Sequence, residues 1–373
     1  MELLFLTSFG EVMSYILYIL IAILILLVMI TVHEFGHYIT GKMFGFGIDE
    51  FAIGFGPKIF SKTKKDGEVF SVRALPLGGF CSFRGEDEDI SDPVAFNNKK
   101  PWQRIIVLVS GALMNYFLAL LLIALMFGIY GHTAIMTYTV TDAGEYGEEY
   151  SFRDRDVILS ADGKNVYLVT DLMNAIDGRK AGDEVSFGIL RGGKEMQVAI
   201  KMRADTDFKN VEDMQTLCEA LGVTYETDGD GALIDYGFRS TGVRLGFFHT
   251  LGRSFEYSFK LAGTIFTVLK QLITGALGIG SIGGTITTIS VTADAIRVGG
   301  LWSFLNISAF IGVNLAVFNL LPVPALDGSR AIFTLIEWIR KKPINRRVEG
   351  IIHAVGFVLI IIFALFVDLQ RCF

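Results

Sequence analysis

Four long stretches of this chain contain no charged side chain, and they constrain its fold more than any other feature. The runs cover residues 12–32, 105–130, 301–326 and 351–367, and the last of them is the shortest. A helix needs about 20 apolar residues to cross the hydrocarbon core of a bilayer. The sequence therefore predicts a polytopic α-helical membrane protein with about four transmembrane helices.

The first run could instead be a secretory signal peptide. It has no basic leader and no small-residue cleavage site, and it is longer than the apolar region of an ordinary signal. We therefore expect it to be retained as a span.

The positions of lysine and arginine predict the orientation of the spans. These residues are frequent in 33–104 and in 327–350, whereas residues 1–11 contain none. Short cytoplasmic loops of membrane proteins are enriched in Lys and Arg. We expect both termini outside the cytoplasm and the two basic segments inside it.

Overall composition excludes several other classes. The chain is 51% hydrophobic and 19% charged, so a part exposed to water accompanies the spans. Its formal net charge of −6 argues against nucleic acid as a partner. Three cysteines without metal-like spacing support neither a disulfide framework nor a zinc knuckle.

The segments around the spans predict three domains. Residues 1–130 form an N-terminal membrane half, residues 131–248 an extracytoplasmic α+β domain with an insertion or linker, and residues 249–373 a C-terminal membrane half. Within the last, residues 251–274 have the spacing of an amphipathic helix, which we expect on the outer membrane surface.

Residues 41–83 alternate apolar and polar side chains between glycines, which predicts a β-hairpin. A sheet at membrane depth must have its edges covered by protein or water. We expect this hairpin to dip into the membrane, although an ordinary cytoplasmic hairpin fits the pattern nearly as well.

The motif HEFGH at the end of the first run carries the chemistry. His33 and His37 are four residues apart, so a helix places both imidazoles on one face, where they can hold one Zn²⁺. Glu34 beside them can activate a water molecule. Ionisable groups at the end of a span are costly in lipid and usually mark function. A cluster that only reaches the lipid headgroups is the alternative.

A catalytic zinc needs a third protein ligand and one open position. Glu50 and Glu68 are possible in principle, but Asp327 fits better. It closes the third run, whose inward direction brings its end to the depth of HEFGH, and Pro322 and Pro324 should break the helix there.

At this point the chain resembles the site-two protease family of intramembrane zinc metalloproteases, in particular the bacterial regulator-of-sigma-E type. The resemblance covers most of the chain and rests on HEFGH, the glycine-rich hairpin, KPWQR followed by SGALMN, and NLAVFNLLPVPALDG. It implies that His33, His37 and Asp327 are zinc ligands, that Glu34 is the general base, and that the protein lies in a bacterial inner membrane.

The resemblance also implies a substrate-binding role for three asparagines. Asn314 and Asn319 match the paired asparagines before the family's LDG motif, and Asn115 matches the last residue of its glycine-proline-x-x-asparagine motif. Ala112 stands where that motif has its proline.

The extracytoplasmic domain resembles a single PDZ domain. Its ligand loop, residues 151–156, lacks both glycines of the family pattern and so loses the conformational freedom that a carboxylate-binding loop uses. We therefore expect a size filter or docking surface rather than tight capture of C-termini.

The sequence thus predicts an enzyme that cuts the membrane-spanning segments of single-span proteins, such as anti-sigma factors or signal-peptide remnants, with an upstream protease as a possible partner. Two rivals remain open at this stage. A proteolytically inactive scaffold would keep the fold, and a transporter would also contain broken helices, although four spans without an inverted repeat are few for one.

Overall fold

The computed structural model describes residues 9–86, 88, 90–138, 146–208, 214–227, 233–244, 246–275 and 283–370. The chain divides into two compact units. Unit 1 comprises Met1–Leu125 with Phe255–Phe373, and unit 2 comprises Met126–Ser254.

The helices and strands are numbered in chain order. The helices are α1 (Phe9–Met43), α2 (Pro101–Tyr130), α3 (Val169–Ile176), α4 (Met214–Leu221), α5 (Phe247–Thr274), α6 (Thr285–Leu320), α7 (Asp327–Arg340) and α8 (Arg346–Gln370). The strands are β1 (Ile48–Thr63), β2 (Val69–Phe83), β3 (His132–Thr137), β4 (Val157–Ala161), β5 (Lys164–Asn165), β6 (Glu184–Arg191), β7 (Lys194–Lys201), β8 (Tyr225–Thr227), β9 (Leu233–Tyr236) and β10 (Phe238–Val243).

Among the described residues, four helices are long and apolar enough to cross a membrane: α1, α2, α6 and α8. Three of them contain an uncharged run in full, and α6 contains most of the third run, so the number of candidate spans agrees with the prediction. α1, α2 and α8 extend beyond their runs into polar and charged residues.

The third span differs from the prediction at both ends. α6 begins at Thr285, well before the uncharged run, and it is kinked at Gly300, whose φ of 57° and ψ of −139° lie outside the helical region. It ends at Leu320, just before the two prolines. Pro cannot continue the helical hydrogen-bond pattern, and it disfavours helical geometry in the residue before it.

The predicted hairpin is present as β1 and β2, joined by a turn at residues 64–68. The pairing is irregular, because residues 50–53 of β1 pair with two segments of β2, 69–72 and 79–82. Beneath the hairpin, Phe46, Phe83 and Phe96 form an aromatic cluster with Val107 and Leu108 of α2. This cluster fixes the hairpin against the membrane helices of unit 1.

Unit 2 is an α+β fold with its own core. Its main sheet has the strand order β10-β3-β4-β6-β7, with β5 paired to β4. Side chains from strands and helices fill the core, among them Ile158, Leu172, Phe187 and Leu217. The described part of residues 204–248 is integral to this unit, because α4 packs into the core and β10 pairs with β3.

The predicted amphipathic helix is present as α5. Tyr257, Leu261 and Ile265 form its buried face, whereas Phe259 and Phe266 are more than half exposed. Its expected place on the outer membrane surface stays a prediction. Most of the glycine-rich segment that follows, residues 276–282, lies outside the described residues, as do Asp87 and Asp89 of the acidic loop and the polar stretch 228–232.

Candidate metal centre

The HEFGH motif lies in the last three turns of α1, as its spacing predicts. The imidazole rings of His33 and His37 are 4.8 Å apart between centroids and lie nearly perpendicular to each other. Both residues are only 6% exposed. Two buried imidazoles on one face of an apolar helix require a partner that offsets their loss of hydration.

Asp327 supplies a third ligand atom to this pair. Its Oδ2 lies 2.9 Å from Nε2 of His33 and 3.2 Å from Nε2 of His37. The two Nε2 atoms are themselves 3.2 Å apart. Residues separated by almost three hundred positions therefore form a near-equilateral triangle of two nitrogens and one oxygen.

This triangle fits a zinc ion. In a tetrahedral site with metal–ligand bonds of about 2.0–2.1 Å, neighbouring ligand atoms are about 3.3–3.4 Å apart. The three observed separations are within a few tenths of an ångström of that value. Two imidazoles and one carboxylate also form the donor set of a hydrolytic zinc site, which leaves one position open for water or substrate.

The second nitrogen of each imidazole is also placed for metal binding. Nδ1 of His37 lies 2.8 Å from the carbonyl oxygen of Val107, which accepts its proton and leaves Nε2 free to bind a metal. Nδ1 of His33 lies 3.4 Å from the side-chain amide of Asn115. The buried Oδ1 of Asn115 has no hydrogen-bond partner. Half a turn of that amide would let Oδ1 accept the proton of His33 Nδ1.

Glu34 lies next to the ligands and is held by the hairpin. Its Oε2 accepts a hydrogen bond from the backbone N–H of Cys81 in β2, at 2.9 Å. The same residue lines a cavity of about 320 Å³ with His37, Phe80, Cys81, Asp327 and Arg330. A carboxylate that is fixed beside two imidazoles and faces a cavity is suited to move protons for a bound reactant.

Two glycines allow α1 and α2 to approach closely around the ligands. A Cβ at Gly111 would lie 2.4 Å from Nε2 of His37 and 2.8 Å from Nε2 of His33, and a Cβ at Gly36 would lie 2.5 Å from the carbonyl oxygen of Ser110. Small residues of this kind allow close contact between membrane helices. The space in front of the two ligand nitrogens therefore depends on Gly111.

Asp327 is presented differently from the prediction. It does not close the third span, because α6 ends at Leu320 and Asp327 is the first residue of α7. Between them the chain turns through Ala325, which has a φ of +81° although it is not glycine. A Cβ at Gly328 would lie 2.4 Å from the carbonyl oxygen of Leu320, so the start of α7 lies directly against the end of α6.

The alternative third ligands lie elsewhere in ion pairs. Glu50 accepts hydrogen bonds from Ser71 and Arg73, and Glu68 pairs with Lys42 and Lys64. Among the described residues, the three-residue group of potential ligands is His33, His37 and Asp327.

The three asparagines differ in their relation to the triangle. Asn115 is completely buried and contacts His33. Asn314 and Asn319 are partly buried in the last turns of α6. Their substrate-binding roles stay predictions.

The sequence patterns did not identify several groups that shape the site. Gly111, the Val107 carbonyl and the Cys81 N–H act through backbone proximity between elements that are distant in sequence. His353 in α8 also contacts the turn before Asp327. Its only sequence signal is a histidine inside an otherwise apolar span.

Comparison with known proteins identifies relatives over almost the whole chain. A sequence model described as peptidase family M50 matches residues 21–363. Several relatives are named "Putative zinc metalloprotease", and two of them illustrate the match. The one from Clostridium perfringens is 32% identical and covers 92% of this chain and 95% of its own. The one from Fusobacterium nucleatum is 29% identical and covers 94% of this chain and 97% of its own.

Among solved structures, one that matches is the PDZ domain of the SdrC-like protein of Listeria monocytogenes. It is 20% identical and covers 29% of this chain and 88% of its own length, with a TM-score of 0.17.

These matches agree with the metal centre. The names of the relatives specify zinc as the metal. The buried triangle of two imidazoles and one carboxylate fits that ion. Four candidate spans together with the family match make this a multi-pass membrane protein. The chain therefore belongs to peptidase family M50, the site-two type of zinc metalloprotease.

Proposed function

We propose that this chain is an intramembrane protease that cleaves the membrane-spanning segment of another membrane protein. One observation carries the proposal: two of the three ligand atoms of the triangle, those of His33 and His37, lie on α1, a helix long and apolar enough to be a span. A protease whose ligands belong to a span can act on a substrate within the bilayer.

His33, His37 and Asp327 would hold the zinc, and zinc would polarise the scissile carbonyl and make the attacking water more acidic. Glu34 would act as the general base that takes the proton of the water and passes it to the leaving amine. Its hydrogen bond from the Cys81 N–H fixes one carboxylate oxygen, and the residue lines the cavity.

The edge of the hairpin is the proposed place for the substrate backbone. A helical substrate hides its carbonyls in its own hydrogen bonds, so the segment to be cut must unwind and find new partners. Residues Phe80–Phe83 of β2 line the cavity beside Glu34, and an extended peptide can pair with an exposed strand edge. Asn115, Asn314 and Asn319 are the proposed side-chain contacts to the substrate.

Unit 2 is proposed to be a PDZ-like domain that limits which substrates reach the site. In its 151–156 loop, the Arg153 N–H donates to the buried carboxylate of Asp156, which also accepts two hydrogen bonds from Arg191. Because the Arg153 N–H and the Asp156 carboxylate are already paired, the loop has fewer groups available to bind a free carboxylate. This supports a size filter over the capture of C-termini.

The proposed location is the bacterial inner membrane, with both termini and unit 2 outside and the metal centre near the cytoplasmic side. The basic residues of 33–104 and 327–350 support this orientation. The proposed substrates are single-span proteins, such as anti-sigma factors or signal-peptide remnants, after an earlier cut by another protease. An inactive scaffold of the same fold is the competing function.

A comparison of membrane proteomes tests the proposal. Cells that carry only Glu34→Gln should accumulate intact single-span proteins that wild-type cells cleave, because the amide cannot accept the proton of the water. The matched control is Glu148→Gln, the same substitution at an exposed position of unit 2. If wild-type and Glu34→Gln cells contain the same set of intact proteins, the scaffold function replaces the enzyme.

A further inference from the structure

A basic pocket in unit 1 lies outside the metal centre and its cavity. It has a volume of about 350 Å³ and is formed where α2 begins, α7 ends and α8 begins. Its charged lining consists of five cationic side chains and one carboxylate: Lys99, Arg104, Lys341, Lys342, Arg346 and Glu337.

The single carboxylate is already used by the two arginines. Glu337 is 6% exposed, and its two oxygens lie 2.6 Å from Arg104 and 2.9 Å from Arg346. The backbone N–H of Ile344 donates to the same group, at 2.9 Å. This network fixes the floor of the pocket, and it leaves the three lysines without compensation from Glu337.

The lysines therefore remain as positive charge at the mouth of the pocket. Lys99 donates to the carbonyl oxygen of Phe44, at 3.3 Å, which does not neutralise its charge. Lys341 and Lys342 are exposed, and among the described residues neither has an acidic side chain within ion-pair distance. A pocket with surplus cations and a fixed floor is complementary to a ligand anion.

The surface of α7, the helix next to the pocket, indicates the chemical class of the anion that the pocket would bind. On α7, Ile332, Leu335, Ile336 and Ile339 recur at helical spacing on one face, and their exposure lies between 36% and 72%. Trp338, which is 49% exposed, lines the pocket itself. In a membrane protein, an apolar helix face with basic residues at its end and a tryptophan beside them is typical of the lipid–water interface.

We propose that this pocket binds the headgroup of an anionic phospholipid, with the acyl chains lying along the apolar face of α7. Basic pockets between membrane helices bind such headgroups through their phosphates. Lys341 and Lys342 contact the phosphate, and Trp338 lies at the level of the glycerol backbone. The bound lipid bridges α2, α7 and α8 outside the metal centre.

Native mass spectrometry of the full-length protein tests this proposal. Detergent-solubilised protein is titrated with phosphatidylglycerol and, separately, with phosphatidylcholine. We expect at least one tight site for phosphatidylglycerol only. Lys341→Gln/Lys342→Gln should weaken it by about 30-fold, because each lysine near an anionic lipid contributes about a fivefold effect. Unchanged zinc content of the variant shows that unit 1 has folded.

A matched variant separates a defined site from general surface charge. Lys62→Gln/Lys65→Gln removes the same charge from exposed positions at the tip of the hairpin. Its phosphatidylglycerol affinity should equal that of the wild type. An equal loss in both double variants, or an equal affinity for the two lipids, overturns the proposal. Displacement of the lipid by millimolar inorganic phosphate would overturn it in favour of a simple anion site.

Discussion

His353 Nδ1 accepts a hydrogen bond from the backbone N–H of Ala325, at 3.0 Å, and so joins the last membrane helix to the turn that presents Asp327. Ala325 has a positive φ, which is costly for a residue with a Cβ and must be held by its surroundings. A Cβ at Gly356, one turn further along α8, would lie 2.4 Å from Pro324. α8 therefore supports the Pro-Ala-Leu-Asp turn at two points.

Removal of this support should weaken metal binding without removing a ligand. We expect His353→Ala to release zinc to a chelator about tenfold faster than wild type, since the loss of groups that orient metal ligands typically costs 10- to 100-fold in affinity. His353→Asn should restore much of the retention, because Oδ1 can accept the same hydrogen bond. Val355→Ala, at an exposed position of α8, is the control. Equal release rates in all four proteins would exclude a positioning role.

Gly111→Ala should abolish zinc binding while leaving α2 intact. Its Cβ would occupy the space in front of both Nε2 atoms, whereas alanine is a better helix former than glycine by about 1 kcal/mol. Gly128→Ala in the same helix adds a Cβ with no neighbour within 4 Å and should retain full zinc content. Metal analysis of the two purified variants makes the comparison. A zinc-loaded Gly111→Ala protein would show that the ligands bind zinc on another side.

Unit 2 should lose stability as the solution becomes acidic. Burial, together with the nearby Arg253 guanidinium, lowers the pKa of His132 to about 4, against the opposite effect of its hydrogen bond to the Val243 carbonyl. An unfolded histidine has a pKa of about 6.5, so between these values the unfolded state binds a proton that the folded state does not. The contribution of His132 to the free energy of unfolding is therefore fully present above about pH 6.5 and is lost as the pH falls towards 4.

Pulse proteolysis of unit 2 in the intact chain measures this effect. Between pH 7.5 and pH 5 the free energy of unfolding should fall by about 2 kcal/mol from this residue. His132→Gln can still donate to the Val243 carbonyl but does not titrate, so its pH dependence should be flatter by that amount. A wild type and a variant with the same pH dependence would contradict the assignment.

Removal of unit 2 should widen the range of substrates. The structure gives the boundaries of such a deletion: β10 pairs with β3, and a Cβ at Gly131 would lie 2.6 Å from the backbone of Val243, so a short linker can replace residues 132–243. We expect the shortened protein to cleave substrates with bulky outward domains and to process trimmed substrates at nearly the wild-type rate. Loss of cleavage of trimmed substrates, in a protein that retains zinc, would show that unit 2 recruits them.

The sequence predicted the parts of this protein that depend on local pattern. The four candidate spans follow from uncharged runs, the hairpin from alternation, and the proximity of His33 and His37 from their spacing on one helix. The helix break predicted at Pro322 and Pro324 is present, whereas the turn with positive φ and the new helix that starts at Asp327 were not predicted.

Contacts between distant elements could not be read from such patterns. The Cys81 N–H that holds Glu34 depends on how β2 lies beside α1, and nothing in the residues around Cys81 specifies that approach. The basic pocket similarly combines Lys99 with Lys341 and Lys342, which lie more than two hundred residues apart. In the sequence, these lysines indicate only which side of the membrane they occupy.

The position of the cut in a substrate tests the central claim most directly. A single-span protein that accumulates in Glu34→Gln cells is reconstituted into vesicles with zinc-loaded wild-type or Glu34→Gln protein, and the product masses are measured. We predict a cut between two residues of the substrate's membrane-spanning segment by wild type, and uncut substrate with the fully zinc-loaded variant. A cut confined to the water-exposed part of the substrate, or equal cleavage by the two proteins, would contradict intramembrane proteolysis by this site.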